Sequence, residues 1–283
     1  MKRVLGLLVA GMLSVSVMAG VARATPPGLG QHFDCSDGGD TSCAADDPGC
    51  VSNQKGHLGC SIKIGSALSK AVLATVKCHI DQASKRMKGA SENGAGQSEE
   101  NCEDNPGNSA QGKLDKALAT LAAQGICDPA QLTGAATQEA VLFGSGPDSL
   151  DVQNGAYFCD SSSGALIGDD DAGSVPATSE IFKCEATVAK AVTKLIAAGT
   201  KCHASMDKFF FKGADFDEET CEEHDPVRFR GALDKFNTVR DKLLAQGICP
   251  PCLDGAAMDA IAANALSQLD AANGDIYPCN LAP

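Results

Sequence analysis

The chain has 283 residues, of which 36 are acidic and 23 are basic, so its formal net charge at pH 7 is −13. An acidic surface of this kind repels nucleic acid and anionic lipid, which disfavours both as partners. The length allows one or two domains, and 14 cysteines are an even number that is typical of disulfide-bonded proteins in an oxidising compartment.

Residues 1–24 have the pattern of a secretory signal peptide. Lys2 and Arg3 precede a long apolar run, and the small residues Ala22 and Ala24 provide a cleavage site near Ala24. No later apolar run approaches the roughly 20 residues needed to span a bilayer. The sequence therefore predicts a soluble protein that is secreted or exported to a bacterial periplasm, where thiols oxidise.

An irregular arm is expected at residues 25–53, which are rich in glycine and aspartate. Cys35, Cys43 and Cys50 lie in this arm. We expect disulfides to hold it in place.

Two copies of one unit follow, at residues 54–160 and 179–283, and a Ser-, Gly- and Asp-rich linker at 161–178 joins them. The sequence LDK occurs at 114–116 in the first copy and at 233–235 in the second, and AQGIC occurs at 123–127 and at 245–249. The cysteines align as Cys60 with Cys184, Cys78 with Cys202, Cys102 with Cys221, Cys127 with Cys249 and Cys159 with Cys279. This self-similarity indicates a duplication.

Apolar residues in both copies recur at intervals of three and four, which is typical of helices with one buried face. In the second copy the first such helix passes through Cys184, Leu195 and Cys202, and Gly213 is expected to end it. Gly89 is expected to end the matching helix of the first copy. Two further helices are expected in each copy: the second ends at Gly125 or Gly247, and the third begins at Pro129 or at Pro250-Pro251. No alternating stretch predicts a strand. The predicted fold is all-α, with duplicated disulfide-linked helical hairpins or three-helix units and an irregular N-terminal arm.

Cys60 and Cys78 are eighteen residues apart, as are Cys184 and Cys202. Five helical turns put the members of each pair on the same side of a helix but about 27 Å apart, whereas a disulfide requires Cα atoms within about 7 Å. Each cysteine must therefore bond to a segment lying against the helix. The predicted bonds are Cys60 to Cys127 and Cys78 to Cys102 in the first copy, and Cys184 to Cys249 and Cys202 to Cys221 in the second.

The remaining cysteines are assigned by elimination. Cys252 has no counterpart in the first copy and is expected to bond to Cys279, whereas Cys159 is expected to bond to one of the three arm cysteines. Each copy would then be closed by its own set of disulfides and could be its own domain. The helical spacing ranks these connectivities and does not exclude the others.

Cys78 and Cys202 are each followed by a histidine, His79 and His203. Because neighbouring residues lie about 100° apart around a helix, we expect both histidines at the edge of the buried face, half-buried and packed on the hairpin. The alternative is a metal or haem site. The chain lacks the Cys-x-x-Cys-His motif of covalent haem attachment, and cysteines in disulfides provide no thiolates for zinc. We therefore expect no metal and no cofactor.

Acidic residues cluster around Cys102 and Cys221. They are Glu99, Glu100, Glu103 and Asp104 in the first copy and Asp215, Asp217, Glu218, Glu219, Glu222, Glu223 and Asp225 in the second. Neither cluster matches the spaced calcium loop with its glycine and terminal glutamate. Solvated acidic loops are expected, and weak calcium association is the alternative.

Three consecutive phenylalanines, Phe209, Phe210 and Phe211, occur in the second copy only. Three successive helical residues cover about 200° of the helix surface, so at least one ring must contact a neighbour outside the buried stripe. A contact between the two copies is expected. A partner chain or a bound apolar ligand is the alternative.

No motif in the chain predicts an enzyme. Cys249 and Cys252 have the spacing of a redox pair but follow no predicted strand. Our first hypothesis is a secreted, disulfide-stabilised helical module without catalytic activity, either structural or binding a protein or cell-surface partner. Two alternatives remain: a periplasmic carrier of a small apolar ligand held between helices, and a metal- or haem-binding protein that uses His79 and His203.

Overall fold

The computed structural model describes residues 27–33, 48–168 and 171–282. The predicted signal peptide, together with Cys35 and Cys43, lies outside the described residues. The described part of the chain forms nine α-helices and no β-strand, so the all-α prediction is confirmed. The helices are α1 (Lys55–Met87), α2 (Glu92–Glu103), α3 (Ala110–Gln124), α4 (Pro129–Leu142), α5 (Leu150–Tyr157), α6 (Ser179–Phe210), α7 (Glu218–Glu222), α8 (Ala232–Gln246) and α9 (Gly255–Ile276).

Glycines end four of these helices. Gly125 and Gly247 follow α3 and α8 directly, and both adopt the left-handed conformation with φ of 62°. Gly89 and Gly213 lie just beyond α1 and α6, with φ of 88° and 67°. Glycine reaches this region at little cost because it has no Cβ, so each helix stops where the sequence predicts.

The prolines after Gly125 and Gly247 have different effects on the chain. Pro129 is the first residue of α4, and Asp128 caps that helix. Pro251 instead begins a short 3-10 turn, and α9 starts later, at Gly255, after its own cap Asp254. The prediction that the last helix begins at the prolines is therefore wrong by one turn.

The two long helices, α1 and α6, lie antiparallel against each other. Gly65 near the start of α1 contacts Thr200 near the end of α6, whereas Ile80 and Thr193 line one groove farther along the pair. One hydrophobic cluster takes residues from both helices, including Val72, Val76, Ile80, Val188, Val192 and Leu195. The two halves of the chain therefore share a core. None of the described helices is long and apolar enough to cross a membrane.

Four disulfides have the pairing that the eighteen-residue spacing predicts. They are Cys60–Cys127, Cys78–Cys102, Cys184–Cys249 and Cys202–Cys221, with Cα separations of 5.2, 5.9, 5.2 and 5.7 Å. Because α1 and α6 are each unbroken between their two cysteines, each long helix is attached to its neighbours at two separate points.

Two other bonds differ from the prediction. Cys252 bonds to Cys159, and Cys279 bonds to Cys50. Cys252 and Cys279 cannot meet because α9 lies between them, and its 22 residues rise about 33 Å. Both bonds connect the second half to earlier parts of the chain, so the prediction of two self-contained disulfide sets is wrong. The boundaries of the two copies stay predictions.

Candidate metal centres

Four carboxylates surround the imidazole of His79 inside the protein. From its Nε2 atom, the nearest oxygens of Glu99, Glu103, Asp151 and Asp171 are 3.5, 3.0, 3.4 and 3.1 Å away. The His79 side chain is fully buried. We name this group centre 1.

Three helices and the linker build centre 1. His79 lies on α1, and Glu99 and Glu103 lie one turn apart on the same face of α2. The Cys78–Cys102 disulfide holds α2 against α1 immediately beside both His79 and Glu103. Asp151 comes from the first turn of α5 and Asp171 from the linker.

A second group of the same composition surrounds His203 on α6. Its Nε2 atom lies 3.4 Å from Glu218, 3.0 Å from Glu222 and 3.5 Å from Asp270. The glutamates belong to α7, which the Cys202–Cys221 disulfide attaches to α6, and Asp270 belongs to α9. We name this group centre 2.

The two centres use matched positions of the two sequence copies. The cysteine alignment places His79 on His203, and the shared pattern Glu-Glu-x-Cys-Glu places Glu99 and Glu103 on Glu218 and Glu222. Aligning the Asn-Gly at 154–155 with that at 273–274 places Asp151 on Asp270. Asp171 lies in the linker, outside the aligned segments. In each copy, one histidine, two glutamates and one aspartate from three separate parts of the sequence therefore lie together.

The centres are separate from each other. Since Gly65 contacts Thr200, His203 lies level with about residue 62 of α1. His79 is about 17 residues farther along the helix, a rise of about 25 Å. Each centre therefore lies near a different end of the antiparallel pair.

Burial at both centres contradicts the solvated reading of the acidic clusters. Glu99, Glu103 and Glu222 are 4, 5 and 3 % exposed. The two histidines are 0 and 2 % exposed, so the half-buried position predicted for them is also wrong. The cause is packing that helical periodicity does not show: α2 and α7 fold back over the histidine side of the long helices. Other members of the clusters, such as Asp104, Glu219 and Glu223, are exposed as expected.

The electrostatics of centre 1 keep protons in the group. Burial disfavours the charged form of His79, but hydrogen bonds to Asp151 and Glu103 and the charge of Asp171 outweigh burial and raise the pKa of His79 to about 10. Burial, a hydrogen bond with Glu103 and the charge of Asp171 raise the pKa of Glu99 to about 10. The buried carboxylates thus hold protons on His79 and Glu99. A metal ion that binds here must displace these protons.

The geometry of both centres fits a metal ion. Around an ion bound at about 2.1 Å, adjacent ligand atoms are about 3.0 Å apart in octahedral and about 3.4 Å apart in tetrahedral coordination. The nitrogen-to-oxygen distances of 3.0 to 3.5 Å fall in this range. In centre 2, the ligand atoms of His203, Glu222 and Asp270 all lie within 4.8 Å of one another. Centre 1 contains two such groups, which share His79.

The phenylalanines predicted to contact a neighbour do so inside the protein. Phe210 is buried in a second hydrophobic cluster with Ile64 and Leu68 of α1, and its ring lies 6.3 Å from that of Phe33. Phe211 packs at the edge of the same cluster. Phe209 is 43 % exposed, and its ring stacks on Phe216 at 5.3 Å. This arrangement is the one expected for a contact between the two copies.

The Cys249 and Cys252 sulfurs belong to different disulfides, with Cys184 and Cys159. They are not bonded to each other, so the redox interpretation of their spacing has no support in the structure. Comparison with known protein families, with curated proteins and with solved structures finds no match for this chain. A function must therefore be sought in the chemistry of the two centres.

The matched aspartates Asp151 and Asp270 were not identified from the sequence, and the glutamates were expected to be solvated. Asp151 lies in α5, a helix that was not predicted, and Asp270 lies in the last helix; each stands three residues before an Asn-Gly pair. A usable signal was present: the histidine, the Glu-Glu-x-Cys-Glu pattern and the aspartate recur together in both copies. Residues repeated at charged positions, and not only at cysteines, indicate a shared site.

Proposed function

We propose that this protein binds two transition-metal ions, one in centre 1 and one in centre 2, and acts as a metal-binding module outside the cytoplasm. The observation that carries the proposal is that one buried histidine in each copy has two glutamates and one aspartate within 3.5 Å of its Nε2 atom, at matched positions of both copies. Both copies keep these donor types although other matched positions differ, such as Gln82 and Met206.

Charge is the first argument in favour of an ion. Burying a carboxylate in the protein interior costs several kcal/mol unless it is paired. In each centre at least three carboxylates meet one imidazole, which supplies at most one positive charge. A divalent cation would offset the remaining negative charge and stabilise the folded chain by its binding free energy.

The donor atoms indicate which ions fit. One imidazole nitrogen with three or four carboxylate oxygens suits Mn²⁺, Fe²⁺ or Zn²⁺, whereas Ca²⁺ and Mg²⁺ prefer oxygen alone. Sulfur ligands for soft ions are absent from both donor sets, whose neighbouring cysteines are in disulfides. A haem would need open space on the Nε2 side of the histidine, where the carboxylates lie.

The proposal keeps the expected compartment and architecture. A cleaved signal peptide would deliver the chain to an oxidising compartment, where its disulfides form. We further propose that the two halves are duplicates of one helical unit, each made of a long helix, a short acidic helix and two helical segments behind them. The role of such a module would be to bind and hold metal rather than to catalyse a reaction.

The experiment is a metal titration of the purified full-length protein. After removal of bound metal, equilibrium dialysis against Zn²⁺ or Mn²⁺ should give two ions per chain by elemental analysis. His79→Ala and His203→Ala should each bind one ion, and the double variant none. His224→Ala is the matched control, because His224 is exposed, bonds to Asp234 and belongs to neither donor set. A wild-type protein that binds neither ion would end the proposal.

A second candidate function has one observation in its favour. A cavity of about 270 Å³ lies between the halves, lined by apolar side chains from both, among them Val72, Leu142, Ile196, Ile261 and Leu269. Such a volume suits a small apolar molecule, in agreement with the carrier alternative. Mass spectrometry of an organic extract of the purified protein tests this function, and an extract without any stoichiometric compound would exclude it.

A further inference from the structure

The two centres differ on one side. In centre 1, Asp171 contributes a fourth carboxylate whose Oδ1 atom lies 3.1 Å from His79 Nε2, and its side chain is 1 % exposed. In centre 2, the carboxylates within 3.5 Å of His203 Nε2 in the described residues are those of the three matched acidic side chains. The linker therefore adds to one centre only.

A buried amide accompanies the extra carboxylate. Gln82 lies one turn after His79 on α1 and is 1 % exposed, and neither its Oε1 nor its Nε2 atom makes a hydrogen bond. A Cβ placed on Gly168 would lie 2.8 Å from the Gln82 amide nitrogen and 3.2 Å from Asp171 Oδ2, so the amide and the carboxylate border the same small space. A buried amide left unpaired destabilises the folded chain, and a metal bond or a bond to Asp171 would remove that penalty.

The residue of the second copy that matches Gln82 cannot provide a polar donor to centre 2. The cysteine alignment places Met206 on Gln82, and Met206 is buried in the second hydrophobic cluster with a thioether that suits none of the ions proposed here. Centre 1 thus has Asp171 in addition to the four matched side chains, and the Gln82 amide borders the same space. Centre 2 has the four matched side chains.

Ions of this class take four to six ligands, and structural metal sites are closed by protein whereas reactive sites keep an open position. We propose that centre 1 is closed by Asp171 and Gln82 and holds its ion as a structural element, whereas centre 2 keeps an open position for a small neutral ligand. Three carboxylates and a divalent ion leave centre 2 with a net negative charge, which disfavours anions and favours water or another uncharged donor. This inference rests on the proposed metal binding and adds a different role for each ion.

The test uses ferrous iron and nitric oxide, a small neutral probe that binds Fe²⁺ only where a position is open. Full-length protein is loaded with Fe²⁺ without oxygen, exposed to nitric oxide and examined by electron paramagnetic resonance for the iron-nitrosyl signal. The His79→Ala variant, which retains centre 2, should give the signal. The His203→Ala variant, which retains centre 1, should not. Equal signals from both variants, or no signal from either iron-loaded variant, would overturn the inference.

Opening centre 1 on purpose provides the converse test. In the His203→Ala background, Asp171→Ala with Gln82→Met leaves centre 1 with the matched donors alone and should make the nitrosyl signal appear. The matched control is Asp160→Asn in the same background, because Asp160 caps the linker turn and lies outside both donor sets. If the signal stays absent after opening, Asp171 and Gln82 do not close the centre.

The wild-type protein gives an independent readout that needs no variant to fold. A chelator should remove the two ions in two phases of equal amplitude. The rate of the slower phase should be about 10- to 100-fold lower than that of the faster phase, because supporting groups around a metal site usually change metal affinity by this factor. A single phase contradicts the inference while leaving the proposed metal binding intact. Absence of any bound iron would contradict the inference, and it would contradict the proposed function only if the protein also bound neither Zn²⁺ nor Mn²⁺.

Discussion

Centre 1 and centre 2 have the same core of one histidine and three carboxylates, but their surroundings differ. In the first half, α4 and α5 are separate helices and the following linker brings Asp171 back to the site, whereas in the second half the single helix α9 provides Asp270 and no linker returns. The shared part is fixed by a long helix, a disulfide and a short acidic helix. The difference shows that the linker can add a carboxylate beside one histidine while the matched residues stay the same.

Removal of metal should have the largest effect on this comparison. An ion present at a thousandfold its dissociation constant adds about 4 kcal/mol per site to the free energy of unfolding. Guanidinium unfolding followed by circular dichroism should therefore show a loss of about this size per centre when a chelator is added. When the chelator is added to the His79→Ala protein, the free energy of unfolding should fall only by the contribution of the ion in centre 2. Identical unfolding curves with and without chelator would show that neither centre couples metal to folding.

Removal of one inner disulfide should affect one centre and spare the other. Replacing Cys78 and Cys102 by serine opens a loop of 24 residues and should cost about 3 kcal/mol, because the unfolded chain gains freedom. It should also release α2 from α1 and abolish metal binding at centre 1 alone, measured by elemental analysis.

Two matched variants sharpen that result. The Cys202→Ser, Cys221→Ser protein should lose metal at centre 2 alone. The Cys60→Ser, Cys127→Ser protein should be destabilised by about 4 kcal/mol but keep metal at centre 1, because its bond lies five turns away along α1. Loss of both ions in every variant would mean that the disulfides act through global stability only.

The halves should also respond differently to pH. Asp207 on α6 is buried and accepts hydrogen bonds from the backbone N–H and hydroxyl of Ser52, whereas the matched residue on α1 is Ala83. Burial raises the pKa of Asp207 to about 6 despite these hydrogen bonds. Since the folded state keeps this proton up to a higher pH than the unfolded state, Asp207 should lower stability as pH rises from about 4 to about 6.

The size of this effect follows from the pKa shift, and amounts to about 2–3 kcal/mol. Unfolding free energies of the wild type and of Asp207→Asn, measured across that pH range, should diverge as pH rises, with the variant falling less. Parallel curves would show that Asp207 does not titrate in this range. Asp81→Asn serves as control, because Asp81 is exposed on the surface of α1.

The smallest effect concerns the caps of α3 and α8. The Ser109 side chain accepts the Gly112 N–H at the start of α3, so Ser109→Ala should cost about 1 kcal/mol. Gly231 occupies the same place before α8, and a Cβ there would collide with the carbonyl oxygen of Glu223. Gly231→Ser should therefore destabilise the protein although serine is the better cap. Thermal unfolding measures both, and a stabilised Gly231→Ser protein would contradict the collision.

The sequence predicts those parts of the fold that are local. Apolar periodicity and the terminal glycines predict the long helices, because both act within a few turns. The four matched disulfides follow from the rise of a straight helix. The partners of Cys159 and Cys252 could not be predicted, because they depend on where the unbroken α9 places its two ends.

The centres were not predicted for a related reason. Glutamates one turn apart on a short polar helix are normally solvated, and only the return of α2 and α7 onto the long helices buries them. Asp151 and Asp171 reach His79 over separations of 72 and 92 residues, which no helical period reports. The repeat was the one long-range signal in the sequence, and it was applied to cysteines and not to the charged residues between them.

The bond between Cys50 and Cys279 has a consequence for biogenesis. These cysteines are 229 residues apart. In the export that we propose, the first would cross the membrane long before the second, and an oxidase acting on thiols in order of arrival would join Cys50 to a wrong neighbour. Correct pairing would then require a disulfide isomerase or a delay in oxidation, and cells without isomerase activity should accumulate scrambled, protease-sensitive forms.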